Sequence, residues 1–176
     1  IKSIGDQKMP AWINDYARED VLFGLPMAFF VAVVVVVILV IIQRRTLIGK
    51  YSAAIGGNKT AAELSGINPV YWVSILYVIV GISAAMAGMA RASYMSLGDP
   101  LSSDGMELWV IIAVLLGGTK FTGGEGQVEK TVIGAIIIIV VTVGMLTVIP
   151  AYWQTFALGA VLLIAVVINY QLVGDS

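Results

Sequence analysis

The residues able to do chemistry are few, and none forms a complete reactive set. The chain contains no cysteine and no histidine, which removes disulfides, thiolate and imidazole metal ligation, and Cys–His or Ser–His nucleophilic pairs. Three short strings have the outline of a site. Gly118-Thr119-Lys120 has the residue types of a phosphate-binding turn, but a Walker-type loop needs Gly-Lys-Ser/Thr in that order after a buried strand. Gly124-Glu125-Gly126 lacks the third glycine of a dinucleotide fingerprint. Asn58-Lys59-Thr60 is formally a glycosylation sequon, in a segment whose charge places it on the cytoplasmic side. No catalytic residue and no metal ligand is assigned, no cofactor is expected on this chain, and the protein is not read as an enzyme.

The elements that must position the remaining polar groups are membrane segments. Hydrophobic residues make up 59% of the 176 positions and charged residues 12%, with a mean hydropathy of +0.96, far from the mix of a soluble domain. A net charge of -1 gives no basic field for nucleic acid. Residues 1–20 form a polar outer segment in which Pro10 starts a short interfacial helix. A start at Ile1 in a polar stretch without Met reads as a trimmed chain, with a part expected before it. Residues 21–42 carry no charge and make a span of about 33 Å as a helix. Arg44, Arg45, Lys50 and Lys59 follow, which puts that end in the cytoplasm. Residues 69–90 return outward with Gly81, Ala84, Ala85, Gly88 and Ala92 in small-xxx-small spacing, a face expected to pack on another helix. An outer loop over 93–104 follows. Residues 106–121 cross in thin or broken form, or re-enter, with Gly117-Gly118-Thr119 as the break; a crossing keeps Lys120 and Lys130 inside. Residues 131–149 run outward, 150–153 turn at the outer face, and 157–170 return to a cytoplasmic tail at 174–176. The fold class is thus all-α, a polytopic transmembrane bundle spanning 21–173 with about five crossings.

The polar interruption at 43–68 organises this layout. Thr60-Ala61-Ala62-Glu63 has the form of a capping box, so a short helix is expected to begin at Thr60. Gly66 fits the left-handed stop, and Asn68-Pro69 supplies an N-cap and a first-turn proline for the next helix. This capped, alanine-rich helix is either a rigid knob for a cytoplasmic partner or a well-folded loop. The second singular stretch, GGTKFTGGEGQ, either lets backbones approach closely at the inner mouth of a pathway or is a flexible connection. The span interiors omit the ionisable residues that mark ion-coupled transporters and voltage sensors. Glu107 precedes the short apolar stretch and suits a helix N-terminus. Ser74, Ser83, Thr142, Thr147, Gln154, Thr155 and Asn169 are read mainly as bonding to neighbouring helices or their own backbone. Uphill movement of a solute therefore needs energy from another subunit.

Two blocks of residues resemble a known family. Arg45-Thr46, Gly49-Lys50-Tyr51, Ala54 through Asn58, Ala61-Ala62 and Leu64 through Ile67 look like the cytoplasmic loop of ribose-type ABC sugar importer permeases. Leu116 through Thr119, Gly123-Gly124 and Gly126 resemble that family's glycine-rich segment, and Trp153-Gln154 its Trp-Gln before the last helix. In order and spacing these cover most of 44–173.

The resemblance implies a monosaccharide importer with two permease subunits in the cell (inner) membrane, two cytoplasmic ATPases that bind ATP and magnesium, and an external solute-binding protein. This chain would supply the last five helices of a type II-like permease, in a homo- or heterodimer. The ATPase-coupling residues it implies are Gly56, Gly57, Asn58, Thr60, Ala61, Ala62, Glu63 and Gly66. Of these, Ala61, Ala62 and Gly66 match the Ala-Ala-x-x-x-Gly core of the wider motif, and Thr60 stands where that motif has Glu. Gly117, Gly118, Thr119, Gly123, Gly124, Gly126, Trp153 and Gln154 are the implied translocation or gate residues. Trp109 departs from the usual pattern, and no substrate contact is carried to it. Related permeases for branched-chain amino acids, nucleosides or a signalling furanose share the layout, and a membrane anchor or assembly subunit is the rival from another class.

Overall fold

The computed structural model describes residues 20–22, 24–96, 103–120, 122–148 and isolated positions between 153 and 167. The expectations for 1–19, for the loop around Gly98-Asp99-Pro100, for the turn at Pro150-Ala151-Tyr152, for Gln154 and for the tail lie outside them. Of the return span at 157–170, the described positions are helical. Among the described residues two short strands, β1 (Asp20–Leu22) and β2 (Leu25–Pro26), pair antiparallel and lead into six continuous helices: α1 (Met27–Arg45), α2 (Leu47–Gly57), α3 (Lys59–Leu64), α4 (Pro69–Met95), α5 (Met106–Leu116) and α6 (Val128–Val148).

The first span begins later than its apolar run. Gly24 turns at φ +74°, and Pro26 disfavours helical backbone at Leu25 and offers no N–H. The helix therefore starts at Met27, and its 19 residues rise about 28 Å, close to a hydrocarbon core of about 30 Å. By length and composition three described helices are apolar enough to cross a membrane: Met27–Arg45, Pro69–Met95 and Val128–Met145. Three of the intramembrane hydroxyls bond their own backbone, Ser74 to Val70 O, Ser83 to Ile79 O and Thr142 to Ile138 O, at 2.7, 2.9 and 2.7 Å.

The chain divides into two compact units, Ile1–Leu39 with Val70–Ser103 and Val40–Pro69 with Asp104–Ser176. In the first, the small-residue face of α4 is open: nothing lies within 4 Å of a methyl built on Gly81 or Gly88. The packing expected there is not made among the described residues. In the second, α5 and α6 form an antiparallel hairpin. Ile112, Ala113 and Ile138 are its buried core, with Trp109, Ala135 and Val161 packed around them.

Glycine sets the hairpin's closeness. A methyl on Gly134 would stand 2.1 Å from Ala113 O, and one on Gly117 would stand 2.7 Å from Thr131 Cα. The 11 residues of α5 rise only about 16 Å, half of a bilayer core, so the segment expected to cross or re-enter begins as a short helix that ends at Leu116. Its stop is the expected break. Thr119 N donates to Val114 O and Gly118 N to Leu115 O at 3.3 and 2.9 Å, the Schellman pattern, with Gly118 at φ +76°. Glu107 sits in the first turn of α5, where the helix dipole favours a carboxylate.

Because Gly134 faces backbone, Gly134→Ala is expected to destabilise the isolated chain by about 1–3 kcal/mol through forced separation of α5 and α6. Gly88→Ala, with open space around it, stays within about 1 kcal/mol of the parent and gains helix propensity. Thermal unfolding of both variants in detergent checks the contrast.

Candidate functional site

Both stretches singled out in the sequence fall in the second unit. At the end of α1 the Thr46 hydroxyl donates to Ile42 O at 2.6 Å and accepts from Ile48 N at 3.2 Å. One side chain thereby closes α1 and caps α2. The bend leaves no room at Gly49, where a methyl would stand 1.9 Å from Gln43 O. Helix α2 itself was not anticipated, since its apolar residues are interspersed with glycine and alanine.

Asn58 welds α2 to α3. Its N–H donates to Ala54 O at 3.1 Å, its carbonyl accepts from Ala62 N at 3.0 Å, and its Oδ1 accepts from Ala61 N at 3.0 Å. The expected capping box at Thr60 is therefore corrected: Asn58, extended at φ -155° and ψ 101°, is the N-cap, and Thr60 lies inside the first turn. Asparagine caps better than threonine, and with Lys59 already helical Thr60 stands at the second helical position, so it is not the N-cap that a capping box with Glu63 requires. Glu63 instead lies 4.0 Å from Lys59 Nζ. The stop is as expected: Gly66 takes φ +82°, its N–H donates to Glu63 O, and Ile67 N donates to Ala62 O, each at 3.0 Å. Two residues later Pro69 opens α4.

Of the coupling residues on α3, Ala62 is buried, while Thr60, Ala61 and Glu63 face outward. Leu64 is 86% exposed. In the sequence this leucine is only a motif position. Its exposure on a helix fixed at both ends is visible only once the cap and stop are placed.

The two glycine-rich stretches meet. A methyl on Gly56 would stand 2.5 Å from Gly124 N, one on Gly123 would stand 2.9 Å from Gly56 O, and one on Gly124 would stand 2.8 Å from Gly57 Cα. Gly123 and Gly124 also adopt φ +86° and +82°, a region L-residues avoid. The loop carrying them is closed on itself: Lys120 N donates to Glu125 O at 3.1 Å, Gly123 N to Lys120 O at 3.1 Å, and Lys120 Nζ pairs with Glu125 Oε2 at 2.9 Å. Gly126 lies against the Thr119 side chain, where a methyl would stand 2.9 Å from Oγ1. Of the two alternatives for this stretch, close backbone approach is the one the structure contains.

A second link comes from the last turn of α1. Gln43 Nε2 donates to Gly126 O at 2.7 Å, and Gln43 Oε1 accepts from Val128 N at 2.8 Å. The amide thereby satisfies one of the orphan donors that open α6. Beside it, Arg44 pairs with Glu129 at 2.6 Å. Gln43, Arg44 and Glu129 were not among the anticipated site residues, because no local pattern announces partners more than eighty positions away. Gly117 packs on α6 instead of the glycine contact, and Trp153 lies edge-to-face on Phe156 with ring centroids 6.0 Å apart.

Replacing Asn58 by Ala removes the cap of α3 and is expected to cost about 1 kcal/mol. Asn58→Asp retains the acceptor oxygen. Amide hydrogen exchange at Ala61 reads this directly: it quickens several-fold in the alanine variant and stays near the parent rate in the aspartate variant.

The family model described as branched-chain amino acid transport system / permease component matches residues 3–166. The xylose transport system permease protein of Haemophilus influenzae is 35% identical over 158 residues, 89% of this chain and 40% of that protein. The ribose import permease protein of Escherichia coli K12 is 38% identical over 125 residues, 70% of this chain and 39% of that protein. The L-arabinose transport system permease protein of the same strain is 37% identical over 148 residues, 84% of this chain and 45% of its own length. The chain thus spans less than half the length of these relatives. No solved structure matches it. The resemblance to ribose-type permeases agrees with these matches, and three apolar helices of spanning length make the chain multi-pass. The chain belongs to the branched-chain amino acid transport system permease family.

Proposed function

We propose that this chain is the membrane permease subunit of an ATP-driven importer that moves a monosaccharide delivered by an external binding protein. The observation that carries the reading is α3: a short helix capped by Asn58, stopped by Gly66, and presenting Leu64 at 86% exposure. A rigid helix with an exposed apolar anchor is a docking element for a groove on another protein. Arg44, Arg45, Lys50 and Lys59 put it on the cytoplasmic side, where an ATPase meets ATP and magnesium. The permeases it resembles act in xylose, ribose and arabinose transport, which points to a monosaccharide.

In this reading Gly56, Gly57, Asn58, Thr60, Ala61, Ala62, Glu63 and Gly66 form the ATPase-coupling corner, and 117–126 line the inner mouth. A second permease subunit completes the pathway, which alternates between outward and inward openings in the cell (inner) membrane. ATP shifts that equilibrium only through contacts on α3 that differ between the two states. The family description gives one specific alternative, a branched-chain amino acid as the solute.

Leu64→Arg is expected to leave membrane insertion intact and to lower recovery of the copurified ATPase by ten- to a hundredfold, the loss of an anchor worth about 1.5–3 kcal/mol; Leu64→Met retains it. Wild-type recovery in the arginine variant would remove α3 from the docking role. In proteoliposomes holding the full transporter, competition of ribose, xylose, arabinose and leucine against labelled sugar uptake separates the two solute classes. Displacement by leucine alone overturns the monosaccharide assignment.

A further inference from the structure

We infer that Gln43, together with the backbone contact of Gly56-Gly57 on Gly123-Gly124, is the joint through which displacement of α3 reaches the α5–α6 hairpin. The inference rests on the permease reading above and names a positioning residue outside the family's loop motif. Three observations carry it.

First, α3 is one residue from the contact. Asn58 binds both helices of the corner, so α3 cannot move without carrying Gly57 and Gly56 with it. Second, nothing compressible lies between the two glycine pairs. The clearances at Gly56, Gly123 and Gly124 are below the size of a methyl, so a push on one backbone meets the other without rotamer slack. Third, contact alone transmits a push and not a pull. Gln43 supplies the tie: its amide holds Gly126 O and Val128 N at once, at 2.7 and 2.8 Å, fastening the loop and the first residue of α6 to the end of α1. The Thr46 hydroxyl then links that end to α2. The joint is therefore a closed circuit of α1, α2, the glycine loop and α6.

The test uses the full-length permease assembled with its ATPase and binding protein in proteoliposomes, and reads sugar imported per ATP hydrolysed. Gln43→Met removes both hydrogen bonds at similar length, and is expected to keep ATPase recovery and ATP turnover within about twofold while the import ratio falls at least tenfold. Gln43→Glu, which still accepts from Val128 N, recovers part of the ratio. Gly56→Ala, which forces the backbones apart, lowers it as well. Arg45→Gln, one position past Arg44 and exposed, keeps the parent ratio. An unchanged ratio in both Gln43→Met and Gly56→Ala overturns the joint.

A second readout needs no ATPase, so that failure of the permease reading is distinguishable from failure of the joint. These 176 residues contain no cysteine, and Ala61 and Thr122 are both exposed. Spin labels on an Ala61→Cys, Thr122→Cys pair are expected to give one narrow distance distribution that broadens when Gln43→Met is added. An unbroadened distribution overturns the inference. Absence of any copurified ATPase with a broadened distribution overturns the permease reading and leaves the joint standing.

Discussion

In the second unit two glycine pairs bring backbone directly against backbone, and much else there depends on it. Gly56 and Gly57 at the end of α2 lie on Gly123 and Gly124 with less than a methyl's clearance, so their separation is fixed by backbone atoms alone. A side chain at Gly56, Gly123 or Gly124 would lever the α2–α3 corner away from the loop. That loop holds its shape by itself, through Lys120 and Glu125 at both backbone and side-chain level. Two rigid pieces in direct contact define a register, and α3 inherits its position from it.

The membrane imposes the complementary constraint. Backbone groups in lipid must be satisfied internally, so every interruption of a helix near the bilayer needs a named partner. Thr46 serves the α1–α2 junction, Asn58 the α2–α3 junction, and Gln43 the start of α6. Gly66 and Gly118 end α3 and α5 with the same pair of carbonyl-directed bonds. With these partners the stop of α5 and the first donor of α6 are both paired. The apolar faces of α1, α4 and α6 then need only lipid or further helices.

Local signals made the stops and the spans legible. Gly66 and Gly118 are breaks because glycine alone reaches φ near +80° cheaply, and a run of apolar residues long enough to cross is read from length. The capping residue was misplaced by two positions, since Thr60-x-x-Glu63 fits a general pattern while Asn58 was already extended at the end of a helix that glycine and alanine had hidden. The start of α1 shifted because Pro26 acts against helix on its N-terminal side, a local veto over an apolar run. The joining of the two glycine stretches was not legible. Gln43 reaches its partners across 83 and 85 positions, and only tertiary packing brings such residues together.

The chemistry of that tie suits the proposed joint. Between their terminal turns the spans carry hardly any acidic or basic residue: Arg44 and Arg45 close α1, Arg91 lies in the last two turns of α4, and Glu129 and Lys130 open α6. In the proposed permease, work on a solute arrives from outside the bilayer, through α3. An ion pair buried there would be costly to desolvate and costly to break. The Arg44–Glu129 pair avoids this by staying partly exposed, which limits it to about 0.2–1 kcal/mol. Gln43 is neutral and makes two directional bonds of about 0.5–1.5 kcal/mol each. That is enough to fix a register in one state and small enough to be remade in another, whereas the glycine contact cannot be broken by chemistry at all and yields only to displacement. In the proposed joint, geometry thus carries the load in one direction and the hydrogen bonds of one neutral amide in the other, with the partly exposed Arg44–Glu129 pair beside them.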